Sequence, residues 1–349
     1  MDITSVDKNF AVQTSIQRDG LVFINAEDKN EFSIHGIYYD NGCYRRLPED
    51  VARNTSDSVH YLHNHTAGGR VRFKTNSPYI AIHVKYTCAS KMPHFPFSGS
   101  IGFDLFRNNI YIGTFMPGVD IVDTLDSVID VPGGEEADYM INFPLYSAVT
   151  DFFVGLKEGS SLTNATPYSI EKPVVYYGSS ITQGGCASRP GNAYQSILSR
   201  ELDAEFVNLG FSGSAKAEQA ISDYIASLDM SAFVFDYDHN APTVDHLKAT
   251  HKPMFDNIRK NNPDLPILLL TRPKSHLTND EIQRLGVVYD TYNSAVSSGD
   301  KNVYIIPGNE IFDPQHAECA LVDNCHPNDC GFVAMAYKIL PVLKKMLNI

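Results

Sequence analysis

Val174-Val175-Tyr176-Tyr177-Gly178-Ser179-Ser180-Ile181-Thr182-Gln183-Gly184 reads as a short apolar strand that turns through Gly-Ser-Ser into a helix. Four bulky apolar residues closed by a glycine fit a strand buried on both faces. The same rhythm continues downstream. Apolar runs at Phe206–Leu209, Phe233–Phe235, Ile267–Leu270 and Val303–Ile306 predict further strands. Between and after them, helices are expected over Ala193–Leu202, Lys216–Ala226, Val244–Lys260 with a break at Pro253, Asn279–Val296 and Gly331–Leu347. Five βα units in series predict a parallel sheet with helices on both faces. Such sheets hold ligands at the carboxyl ends of their strands.

Upstream the period is two rather than 3.6. In Tyr79–Tyr86, the residues Ile80, Ile82, Val84 and Tyr86 share one face, while Ala81, His83 and Lys85 share the other. Ile101, Phe103 and Leu105 alternate likewise, Arg107-Asn108-Asn109 makes a turn, and Ile110-Tyr111-Ile112 runs back as a hairpin. Leu21–Ile24 and Phe152–Leu156 are further short strands, and no useful helical period is expected in this half. The pattern predicts an all-β sandwich or jelly roll over residues 1–165, a polar linker from Gly159 to Pro173, and an α/β domain over 172–349.

Chemistry is sought at the strand ends. Gly-x-Gly, Gly-x-x-x-x-Gly-Lys-Ser/Thr and Gly-x-Ser-x-Gly are all absent, which excludes a dinucleotide fingerprint, a P-loop and a nucleophile elbow. The Gly178-Ser179-Ser180 turn would expose a hydroxyl and aim backbone N–H groups at whatever it attacks, although serines there also simply cap a helix. Near the end stands Asp323-Asn324-Cys325-His326-Pro327. A carboxylate three residues before a histidine can orient one ring nitrogen and leave the other as a base, although these are also ordinary turn residues. Asn208-Leu209-Gly210-Phe211-Ser212-Gly213 follows the second strand, and Asp238-His239-Asn240-Ala241-Pro242 the third. Gly213 permits close approach of a backbone N–H, and Asn240 offers a neutral amide donor.

These four blocks in this order resemble the SGNH (GDSL-type) hydrolases, over residue 172 to the end. Two departures stand out: Ser179 replaces the usual Asp before the nucleophile, and Asp-His-Asn-Ala-Pro replaces Gly-x-Asn-Asp. Both resemble a subgroup with a β-rich N-terminal domain marked by a Gly-x-Asp-Leu-Tyr motif, here Gly102-Phe103-Asp104-Leu105-Phe106. The resemblance implies a flavodoxin-like three-layer α/β hydrolase domain behind the β-sandwich. It also implies catalysis by Ser180, His326 and Asp323, and an oxyanion hole from the N–H groups of Ser180 and Gly213 with the Asn240 amide. The implied reaction is hydrolysis of a short acyl ester, most simply acetyl on a carbohydrate, without metal or cofactor. A lipid or thioester hydrolase of the same family, and an inactive glycan-binding protein, are the alternatives.

Other readings of the residues are weaker. Asp236 and Asp238 are candidate paired carboxylates of a glycosidase but sit only two residues apart. Cys319, Cys325, His326 and Cys330 lack the paired spacing of a zinc site and would consume the base. Cys186 is expected as a small buried apolar residue. Arg189, the one charge in the Gly184–Gly191 loop, is either solvated, ion-paired or in contact with substrate. Tyr38-Tyr39-Asp40 and Asn142-Phe143-Pro144-Leu145-Tyr146 are candidate borders of the cleft.

Composition narrows the partners. Basic residues number 28 against 41 acidic, a net −13, which repels phosphate backbones and anionic lipid. The expected partner is therefore a small-molecule or oligosaccharide ester, not nucleic acid or membrane. Six cysteines in 349 residues are too sparse for a disulfide framework. Met1–Phe10 is polar and lacks a secretory core, so the chain as given is expected in the cytoplasm, or secreted or periplasmic if a leader has been removed.

Overall fold

A computed structural model describes residue 12, residues 14–315 and residues 317–349; Met1–Phe10 lies outside the described residues. The first half forms two antiparallel sheets. One has the order Leu21–Asn25, Ala148–Lys157, Tyr79–Cys88, Thr124–Asp130. The other runs Ser33–His35, Arg70–Thr75, Ala137–Asn142, Phe103–Arg107, Ile110–Phe115. The alternation works as written: Ile80, Ile82, Val84 and Tyr86 bury against Phe73, Phe103 and Phe152 in one core. Each such side chain contributes about 1.5–3 kcal/mol on leaving water. At the predicted hairpin, Asn108 and Asn109 have φ of 50° and 63°, the doubly left-handed turn that matches strand twist and that asparagine tolerates.

The first half is not free of helix. Glu49–Thr55, Asp57–Leu62 and Phe97–Ser100 are helical. Each spans one or two turns, too little for a 3.6-residue period to show. The local signal is the cap: Ser56 Oγ accepts from Val59 N at 3.2 Å, with Asp57 in the first turn. What secures the first two helices is tertiary. Leu47, Ala52, Val59 and Leu62 pack with Val175, Tyr177 and Phe211 of the second half, not with the sandwich.

The last sandwich strand ends at Lys157, and the parallel sheet starts at Ile170. Its order is Ala204–Gly210, Ile170–Gly178, Ala232–Asp236, Ile267–Leu270, Val303–Ile306, and every pairing is parallel. This 2-1-3-4-5 order is the flavodoxin-like one, with its switch point beside the strand that opens the half. Val174 and Tyr176 face a layer containing Tyr194–Leu202 and Asp329–Leu347. Val175 and Tyr177 face Gln219–Ser227, Val244–Asn261 and Asn279–Ser297. The helix Val244–Asn261 runs unbroken through Pro253, contrary to the expected interruption. Pro253 and Ala249 lie on the exposed side, so the carbonyl deprived of its donor is left to water.

Candidate active site

The turn after Ile170–Gly178 is built by side-chain size. A Cβ on Gly178 would meet Thr182 Oγ1 at 2.2 Å and the Asp236 carbonyl at 2.3 Å, so only glycine lets the chain turn there. Ser179 caps the helix Ser180–Gln183, its Oγ accepting from Ile181 N at 3.1 Å. Ser180 therefore stands at the first helical position, where its own N–H has no partner within the helix. Gly184 ends the helix at φ 101°.

The terminal loop is fixed just as locally. Asp323 Oδ1 accepts from the N–H of Cys325 at 3.1 Å and of His326 at 2.8 Å, and Asn324 turns at φ 60°. Asn328 caps the final helix by accepting from Gly331 N at 3.2 Å. The result is a continuous relay. Asp323 Oδ2 lies 2.8 Å from His326 Nδ1, and His326 Nε2 lies 2.9 Å from Ser180 Oγ. Burial works to raise the Asp323 carboxyl, but the His326 N–H and imidazole outweigh it and hold it below the usual carboxylate range. His326 is pushed up to about 9, first by the neighbouring Cys325 thiol and, against burial, by Asp323.

Gly213 and Asn240 lie on loops that one carbonyl joins. Gly213 turns at φ 65°, and a Cβ placed on it would meet nothing within 4 Å, so it faces open space. The Asn240 amide is half-buried and donates to Phe211 O at 3.1 Å, two residues before Gly213. Gln183 links this loop to the helix Ser180–Gln183: its Oε1 accepts from Ser212 N at 3.0 Å, and its Nε2 donates to Leu145 O at 3.1 Å.

Several supports come from the first half and carry no local motif. The Tyr146 hydroxyl donates to Ser180 O at 3.2 Å, which places one of the two candidate aromatic stretches at the site. Tyr38 and Tyr39 instead sit exposed on a small hairpin paired with Cys43–Arg45. Arg46 is buried; it donates to Gly210 O at 2.6 Å and Leu62 O at 2.7 Å, with its guanidinium 4.7 Å from the centre of the Phe211 ring. His94, exposed, stands with its ring centre 5.7 Å from that of His326. Arg46 and His94 show in no sequence pattern, because each depends on chain crossing between the halves.

The other candidates take structural places. Arg189 is ion-paired to the fully buried Asp104 at 2.8 Å, and Asp104 also accepts from Gly191 N at 2.8 Å and Asn142 Nδ2 at 2.7 Å. Asp236 accepts from Thr182 Oγ1 at 2.8 Å, and Asp238 pairs with His239 at 2.8 Å and accepts from Arg272 N at 3.0 Å. Both aspartates are thus turned into the structure rather than across a cleft. Cys186 is buried as expected. Cys319 and Cys330 are exposed and join neither of the two groups of metal-ligating side chains found among the described residues, so the terminal cysteines do not converge on one point.

Residues 171–344 match the GDSL-like lipase/acylhydrolase family, and residues 21–162 match the N-terminus of the SGNH-hydrolase-type esterases. The chain belongs to the GDSL-like lipase/acylhydrolase family. Its motif stretch Gly102–Phe106 holds the loop after the Gly178-Ser179-Ser180 turn through Asp104, which gives the N-terminal domain of this GDSL-like protein a direct structural link to the candidate site. A candidate GDSL-like lipase from Bacteroides ovatus ATCC 8483 is similar in structure: 26% identity, 94% of this chain and 98% of that one covered, TM-score 0.84. The salicylyl-acyltransferase SsfX3 from a tetracycline biosynthetic pathway shares the fold at 18% identity, 95% and 99% coverage and TM-score 0.77. So does the acetyl xylan esterase Est2A from the rumen bacterium Butyrivibrio proteoclasticus, at 13% identity, 94% and 99% coverage and TM-score 0.61. No curated protein matches the chain.

Proposed function

We propose that this GDSL-like protein is a serine esterase that removes short acyl groups, acetyl first, from carbohydrate hydroxyls. The observation that carries the reading is the relay from Asp323 through His326 to Ser180, with links of 2.8 and 2.9 Å. In this reading Ser180 Oγ attacks the acyl carbonyl while His326 Nε2 takes its proton. The tetrahedral oxyanion is met by the N–H groups of Ser180 and Gly213 and by the Asn240 amide. His326 then protonates the departing sugar oxygen, leaving an acyl-enzyme. Water, deprotonated by His326, attacks that ester and releases acetate and free Ser180. Asp323 keeps the proton on Nδ1 throughout and stabilises the imidazolium.

The substrate side is supported by two things. An antiparallel sandwich stands before the α/β sheet, and the same overall fold is shared with proteins named as an acetyl xylan esterase and as a family two carbohydrate esterase in complex with cellohexaose. The test is an acetate-release screen over acetylated oligosaccharides with Ser180→Ala as control. Release by the wild type alone is expected; preference for long-chain acyl esters would point to the lipid hydrolase instead.

A further inference from the structure

We propose that His94, Cys186 and His326 together capture a soft divalent cation of the zinc class, and that an ion held there withdraws the base from the relay. One ligand atom from each of the three lies within 4.8 Å of the others. They come from separate parts of the chain: His94 from the sandwich half, Cys186 from the loop after the nucleophile helix, and His326 from the terminal loop. Two imidazoles and a thiol are the donor set that zinc takes, and three protein ligands leave one position open. Tetrahedral zinc needs donors roughly 3.5 Å apart at its usual bond lengths. Closing from within 4.8 Å to that spacing requires side-chain movement, for which the exposed His94 is the least confined of the three.

Two observations fix the side of the ring that is involved. A Cβ on Gly185 would lie 3.4 Å from His326 Cδ2, the carbon bonded to Nε2, so the loop bearing Cys186 passes that edge. Nδ1 is already held by Asp323 at 2.8 Å, the carboxylate–imidazole pairing that orients metal-binding histidines. The other group within 4.8 Å, formed by Asp323, Cys325 and His326, would have to break that pairing. Cys186 itself holds φ 79°, a left-handed conformation that strains a side-chain-bearing residue and gathers at functional positions. On binding, the Cys186 thiol gives its proton to water and nothing is oxidised or reduced. The Nε2 lone pair cannot hold the cation and accept the Ser180 proton together.

The binding part stands without the esterase reading; the shut-off rests on it. The experiment is calorimetric titration of the full chain with zinc chloride, with Cys319 and Cys330 changed to Ser to remove the exposed thiols. One ion per chain is expected, with affinity at least about tenfold weaker in His94→Ala and in Cys186→Ala and not weakened in Cys325→Ala. In the esterase assay, zinc should inhibit the wild type reversibly with chelator and spare His94→Ala. Undiminished zinc affinity in both variants, or loss of it in Cys325→Ala, would overturn the proposal. If the wild type hydrolyses no ester, the esterase reading fails while the titration still decides the site.

Discussion

Asp104 and Arg189 form a 2.8 Å ion pair across the two halves of the chain, with the carboxylate fully buried and the guanidinium stacked 3.9 Å from the centre of the Tyr111 ring. The same carboxylate oxygen accepts from Gly191 N at 2.8 Å. One sandwich residue therefore pins the loop that follows the helix Ser180–Gln183. Asp104→Ala should strip a buried charge pair and two loop anchors together. A loss of about 3 kcal/mol is expected in urea unfolding, at the lower end of the cost of breaking a buried pair because Arg189 keeps some access to water. Turnover should fall with it; an unchanged unfolding midpoint would show that the pair holds nothing.

Gln183 gives a subtler test. Its side chain joins the helix Ser180–Gln183 to Ser212, next to Gly213. Gln183→Met keeps the volume and removes the acceptor, leaving the Ser212 N–H to find another partner at a cost of about 1–3 kcal/mol. If the bond positions the Gly213 N–H for the oxyanion, kcat should drop about tenfold or more with KM little changed, and Gln183→Glu, which keeps the acceptor, should recover part of it. Parallel loss in both variants, with KM rising, would point to general loosening.

Much of this architecture is legible in the letters. The period of two before residue 160 and the βα rhythm after 174 place both layers, because burial on one or both faces writes itself into local spacing. Three of the four blocks follow directly on strands, where chain direction brings them to one edge; the fourth, Asp323–His326, lies on the long loop between Ile306 and the helix that starts at Asp329. Arg46, Gln183 and His94 are different. Each acquires its role from a partner far away in sequence, and nothing in a window of ten residues distinguishes them from ordinary core or surface positions. The helices at 49–62 are hidden for the same reason: their apolar residues complement the other half's core, not their own.

Asn240 and Ser180 should differ in degree. Removing one oxyanion donor typically costs about 10²–10³ in turnover, so Asn240→Ala should remain measurable. Removing the nucleophile should cost on the order of 10⁶. Initial rates on p-nitrophenyl acetate compare the two; equal losses would mean that Asn240 does more than stabilise charge, or that its bond to Phe211 O holds the loop together.

The pH profile follows from His326, which is held up to about 9, first by Cys325 and then by Asp323. The base must be neutral to accept a proton, so kcat/KM should rise with pH through a limb near that value. Cys325→Ala should move the limb toward lower pH. The stability linkage has the opposite sign. A raised imidazole contributes fully below its unfolded value of about 6.5, and the contribution is lost as pH climbs through the folded one. A kcat/KM limb near the unperturbed value in both proteins would contradict this environment for His326.

The central claim is that the imidazole of His326 activates the hydroxyl of Ser180. It is tested most directly by treating the folded protein with a fluorophosphonate and mapping the adduct by mass spectrometry. Stoichiometric labelling of Ser180 in the wild type, and its collapse in His326→Ala with the fold intact, is the predicted result. Labelling at another serine, or labelling of Ser180 that is indifferent to His326, would contradict it.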